Sequence, residues 1–196
     1  METSLEHVHE LEPHIKVARA RAGVLMLILS DALAVLAILA AGGYLRTLNT
    51  EGQYKVAGDF APAYLPGLLI AIALVLSGLA YYWWERRASK PGEANQPLFF
   101  LLAWVLMLAA GVSETWIGAS LRYGIPIQAY ESVQLLVAWF TAVHLLLAAF
   151  VGLLLGGRIL RGRVAGHEFI AEVVGYWWYY TVVASVLLWL FGVYLT

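Results

Sequence analysis

Five long runs with little or no charge divide this 196-residue chain, at 22–45, 60–84, 97–121, 132–157 and 173–196. Each can supply the roughly 20 apolar residues that cross a bilayer core of about 30 Å. Only helices or closed barrels satisfy every backbone group in lipid. The runs are far too long for barrel strands and do not alternate, so they predict helices and an all-α integral membrane bundle of five transmembrane helices. Turn formers gather at the joints: Gly58 and Pro62, Pro91 and Gly92, Gly124 and Pro126, Gly162 and Gly166. The composition agrees, with 62% hydrophobic and 13% charged residues, where soluble domains are usually about half apolar and about a quarter charged. The connections are too short for a separate soluble domain, so residues 22–196 read as one membrane domain behind a His- and acid-rich tail, 1–21. That tail lacks the basic start and small-residue cleavage site of a signal peptide, so the first run is expected to stay in the mature protein.

Lys and Arg set the orientation. Lys16, Arg19 and Arg21 precede the first run, Arg86, Arg87 and Lys90 follow the second, and Arg158, Arg161 and Arg163 follow the fourth. Alternating spans put all nine on one side, against Arg46, Lys55 and Arg122 on the other. This bias predicts a cytoplasmic N-terminus and an external C-terminus. The net charge of −1 gives no pull toward nucleic acid. The absence of cysteine excludes disulfides, thiolate metal sites and cysteine nucleophiles.

Ionisable residues inside a membrane are costly and are functional candidates by default. Asp31 follows Ser30 in the apolar stretch "VLMLILSDALAVLAILAA", roughly 13 Å past the start of the first run at 1.5 Å per residue. It reads either as a proton-relay, lipid or partner contact, or as a neutral carboxyl bonded to Ser30 or a neighbouring helix. Glu114, in "AAGVSETWIG", reads as an outer carboxyl paired with Arg122, about two turns later. His144, central in the fourth run, reads as a hydrogen-bonding residue between helices. A bis-histidine haem would need a second intramembrane His, and His7, His9, His14 and His167 all lie outside the runs; Met107 in the third run could complete a His/Met pair, but nothing in the sequence argues that it does. Glu172 opens the fifth run, where a helix N-terminus favours an anion. "GLLLG" from Gly152 to Gly156 suits close helix packing. "AYYWW" and "GYWWYY" read as interfacial aromatic belts. The tail histidines His7, His9 and His14, with Glu10, read as an unorganised tail rather than a metal site.

Several of these patterns together resemble subunit III of the haem-copper oxidases, in its short five-helix form. "LMLILSDALAVLAILAAGGYL" is similar to the family's first shared helix, with Asp31 at its Ser-acid pair. "GVSE" places Glu114 at a family carboxylate. "WFTAVH" matches a helix start through Thr141 and His144, and "RGRVAGHEFIAEVVGYWWYYTVV" matches a His-rich loop and helix start through His167, Phe169 and Glu172. The chain departs from the pattern at Leu147, where a second His is usual, at Ala142, where Gly is usual, and in the last helix, which lacks the family's His and Asp. It resembles a divergent branch.

The resemblance implies a non-catalytic respiratory subunit that carries no haem or metal of its own. It would flank catalytic subunit I, with subunit II nearby, in a bacterial cytoplasmic membrane, bind phospholipids in a cleft, and support assembly and proton uptake. Asp31 would then be the carboxylate beside the lipid cleft or proton supply, with Ser30, Glu114, Thr141, His144 and Glu172 as buried polar or packing residues. The alternatives are an accessory subunit of a nitric oxide reductase, a small transporter, and a haem-bearing membrane anchor using His144. A transporter would favour inverted repeats and helices broken at mid-membrane. No repeat is evident, and Pro66 and Pro97 lie near run ends.

Overall fold

The computed structural model describes residues 13–48, 54, 64–90, 96–121 and 129–195. These form five helices: α1 (Pro13–Thr47), α2 (Tyr64–Ala88), α3 (Leu98–Ser120), α4 (Ala129–Leu160) and α5 (Phe169–Leu195). All five are long and apolar enough to cross a membrane. The chain is therefore an all-α, multi-pass membrane protein, as the apolar runs predict.

Helix ends follow local chemistry more closely than the apolar boundaries do. α1 starts nine residues before its run, at Pro13, because Pro suits a first helical position and the Lys, Arg and Ala that follow are good helix formers. Part of the expected tail is thus a continuous extension of the first span, while His7, His9 and Glu10 lie outside the described residues. α4 ends in a paired-carbonyl turn. Gly162 N–H donates to the Ile159 carbonyl at 3.0 Å and Arg163 N–H to the Arg158 carbonyl at 2.9 Å. That geometry needs a left-handed residue, and Gly162 supplies it with φ 66°. Just before α5, Glu168 accepts the Gly166 N–H at 2.8 Å, which holds its carboxyl below the usual range.

α2, α3, α4 and α5 form a closed ring in which each packs on its two neighbours, and α1 lies outside it against α4 and α5. Lipid removes most of the hydrophobic drive between helices, so close fit and interhelical hydrogen bonds hold the ring. Small residues bring the backbones together: Ala103, Ala110, Ala148 and Ala149 are buried. At Gly152 a Cβ would lie 2.8 Å from both Trp104 Cδ1 and Trp178 Cζ3. Gly152 thus seats α4 against an indole of α3 and another of α5, which is the packing that "GLLLG" suggests. Tyr81 stacks on Trp178 at 5.0 Å, and Trp84 lies 5.0 Å from Phe100.

These rings overturn much of the aromatic-belt expectation. Tyr81, Trp84 and Trp178 are fully buried, whereas Tyr82 and Trp83 on the opposite side of α2 are exposed. Residues three apart share a helix face, so Tyr81 and Trp84 go inward together. Two buried polar bonds lock this core: Trp178 Nε1 donates to Ser77 Oγ at 3.1 Å, and Ser77 Oγ donates to the Ala103 carbonyl at 2.7 Å.

α1 runs parallel to α5 and is tied to it at three levels. Arg21 pairs with Glu172 at 2.6 Å near one end, Asp31 meets Tyr180 in the middle, and Arg46 donates to the Tyr194 carbonyl near the other end. Between these ties α1 presents Leu25, Met26, Leu29, Leu33 and Leu36 outward. Parallel first and last spans are what an odd number of crossings requires.

Candidate functional site

The middle tie is the most chemically informative place in the fold. Asp31 Oδ1 lies 2.8 Å from His144 Nε2 on α4, and Oδ2 accepts the Tyr180 hydroxyl of α5 at 2.7 Å. His144 Nδ1 lies 2.7 Å from the Phe140 carbonyl, one turn back on its own helix. A carbonyl can only accept, so Nδ1 carries a proton. The Tyr180 proton is committed to Oδ2. One further proton therefore lies along the 2.8 Å line between His144 Nε2 and Asp31 Oδ1. With it on nitrogen, the pair is carboxylate and imidazolium; with it on oxygen, carboxylic acid and neutral imidazole. Both forms have zero net charge.

That arrangement explains how a carboxylate is tolerated so deep. A charged Asp at a helix centre costs about 2.5–3.5 kcal/mol on insertion scales. A net-neutral, fully hydrogen-bonded pair avoids leaving an isolated charge in the low-dielectric interior. His144 and Asp31 are respectively 18% and 15% exposed, so the pair is enclosed but not sealed. His144 also stacks on Phe140, with centroids 4.1 Å apart, and packs near Trp177 at 6.1 Å. His144 is central in α4, and Asp31 is central in α1 once the helix is taken from Pro13. The cluster sits at the mid-depth of the bundle, deeper than a span beginning at residue 22 would place it.

The remaining candidates fall in three places. Ser30 is exposed beside Asp31 and does not bond it. Glu172 accepts from Arg21 and from Tyr176, so it ties α1 to α5 as well as sitting in the first turn of α5. Nearby, Tyr179 donates to Glu85 at 2.5 Å and Tyr81 donates to the Ala171 carbonyl at 2.8 Å, making a polar layer at the end of the bundle where α5 begins. Glu114 and Thr141 both line a partly open cavity of about 360 Å³ between α2, α3, α4 and α5. The expected partner of Glu114, Arg122, lies outside the described residues, as do the tail histidines His7 and His9. Among the described residues no three His, Asp or Glu side chains group as a metal site would require.

Tyr180 is the member of the cluster that the sequence does not single out, because it lies within the "GYWWYY" stretch read as a belt. Its position gave a signal. It lies eleven residues past Phe169, about 16 Å along the helix at 1.5 Å per residue, which is too deep for a headgroup belt. Its placement opposite Asp31 depends on helix rotation, which the sequence does not display.

No protein family model matches this chain. No curated protein matches it either.

Proposed function

We propose that this chain is a subunit III-like, non-catalytic component of a bacterial respiratory haem-copper oxidase. Its N-terminus is cytoplasmic and its C-terminus external. Oxygen reduction occurs in a partner catalytic subunit, beside which this chain holds phospholipid and supports proton uptake. The observation that carries the reading is the Asp31–His144 contact. The resemblance singles out these two residues independently, from different spans and 113 positions apart, and they meet through a single hydrogen bond.

The chemistry fits an accessory role. The cluster offers a proton shared between Asp31 and His144. A proton poised between a carboxylate and an imidazole at mid-membrane suits a relay or reservoir for a partner. The orientation rests on the nine-to-three Lys and Arg asymmetry and the parallel run of α1 and α5. The exposed apolar side of α1 offers a surface for lipid or a partner helix.

Affinity purification after mild solubilisation tests the proposal. A co-purifying subunit with a haem-copper optical spectrum is the expected result. Recovery of the chain alone, across several mild detergents and in native lipid nanodiscs, would remove the oxidase assignment.

A further inference from the structure

The bundle contains a cavity that the accessory-subunit reading does not use. It lies between the N-terminal parts of α2 and α4 and the C-terminal parts of α3 and α5. At about 360 Å³ it has room for on the order of ten water molecules. Glu114 is the only carboxylate, and no Lys, Arg or His accompanies it, among its described lining residues. Gln134 lines it near the end of the bundle, and Thr141 and Ser185 line it toward the centre, all three buried. Gln134 spends one N–H on the Gly192 carbonyl at 3.2 Å, which leaves its amide oxygen uncommitted among the described residues. The Thr141 and Ser185 hydroxyls likewise have no partner among the described residues, although the other two buried Ser and Thr hydroxyls described, Ser77 and Thr181, are bonded. Buried polar groups normally have partners, protein or water.

Thr141, Ser185 and Leu188 also wall a second space, of about 10 Å³, whose other lining residues include Asp31, His144 and Tyr180. That is near the lower limit for one water. The two spaces thus share the same hydroxyl-bearing wall.

We propose that the cavity is a water-filled, cation-attracting vestibule through which the Asp31–His144–Tyr180 cluster exchanges protons with the aqueous phase at the end of the bundle where α3 and α5 finish. Glu114 concentrates cations at its waist, and the Thr141 and Ser185 hydroxyls carry the hydrogen-bonded chain past the constriction. A proton arriving along the chain takes the shared position as the proton already there leaves, so the pair keeps one shared proton and zero net charge. Only O–H and N–H bonds form and break. The vestibule rests on the membrane reading and is independent of the oxidase assignment.

The cysteine-free sequence makes the test specific, because a single introduced cysteine is the only thiol of the chain. Ser120→Cys at the mouth, Ser185→Cys at the constriction and Leu153→Cys on the exposed face of α4 are treated in native membranes with membrane-impermeant thiosulfonates, cationic or anionic, from each side. The side from which Ser120→Cys reacts identifies the mouth without any assumed orientation. Ser185→Cys should react with the cationic reagent from that same side at least tenfold faster than Leu153→Cys. The cationic reagent should be preferred over the anionic by roughly tenfold, and Glu114→Gln should abolish most of that preference. Once Ser185→Cys carries a bulky adduct, deuterium uptake at the His144 ring should slow at least tenfold. Thr141→Cys occupies the same wall and gives the same readouts if Ser185→Cys does not accumulate. An unreactive constriction, reactivity only from the opposite side, or unchanged deuterium uptake after blocking would overturn the vestibule while leaving the co-purification result untouched.

Discussion

Replacing Asp31 separates the hydrogen bonds of the cluster from its proton. Asp31→Leu removes the acceptor of Tyr180 and the partner of His144 Nε2. Interhelical hydrogen bonds in membranes average about 0.6 kcal/mol and reach about 1.7. Losing two predicts a destabilisation of roughly 1–3 kcal/mol. Little compensates at the neighbouring tie, because the Arg21–Glu172 pair is 48% and 29% exposed, and solvent screens such surface pairs. Asp31→Asn behaves differently. Its amide oxygen accepts from Tyr180, and its amide N–H donates to Nε2 of the Nδ1-protonated imidazole. All three bonds of the cluster survive, so the predicted change is within about 1 kcal/mol, while the shared proton is gone. Equilibrium unfolding in bicelles measures both variants, and protease access to α1 reports whether that helix has loosened. Equal destabilisation by Asn and Leu would refute the hydrogen-bond assignment, as would Leu matching the parent.

Three further outcomes follow from the same contacts. His144→Ala is expected to leave the haem content of the assembled complex unchanged while weakening α1 docking by about 1 kcal/mol; loss of a haem absorption band on this substitution would make His144 an axial ligand instead. Gly152→Val forces a side chain between Trp104 and Trp178, where even a Cβ falls at 2.8 Å, and should cost about 1–3 kcal/mol as overpacking; a neutral thermal unfolding result would mean the indoles move freely. Ser77→Ala strands the Trp178 indole N–H in the core and should cost about 1–3 kcal/mol, whereas Ser89→Ala, an exposed serine bonding only its own helix, should be close to neutral in the same assay.

The sequence displayed the helices better than it displayed their faces. Five apolar runs were legible because lipid leaves a long apolar chain few structures, and the described helices follow from them. Helix ends were less visible: residues 13–21 are charged yet helical, since entry into the membrane does not start a helix. Asp31 and His144 stood out because charge is costly at that depth. Their pairing did not, because it depends on how α1 and α4 rotate against α5. Tyr180 was hidden for the same reason, with Trp177, Trp178 and Tyr179 beside it offering equivalent chemistry on other faces. The cavity had no linear signature, since its walls come from four helices and its polar residues are common types.

The claim that Asp31 and His144 hold one shared proton is tested most directly by the nitrogen-15 spectrum of the His144 ring in lipid, assigned by comparison with His144→Gln. Nδ1 should be protonated, with Nε2 shifted toward a strong hydrogen bond that vanishes in Asp31→Leu. An unprotonated Nδ1, or an Nε2 signal indifferent to Asp31, would contradict it.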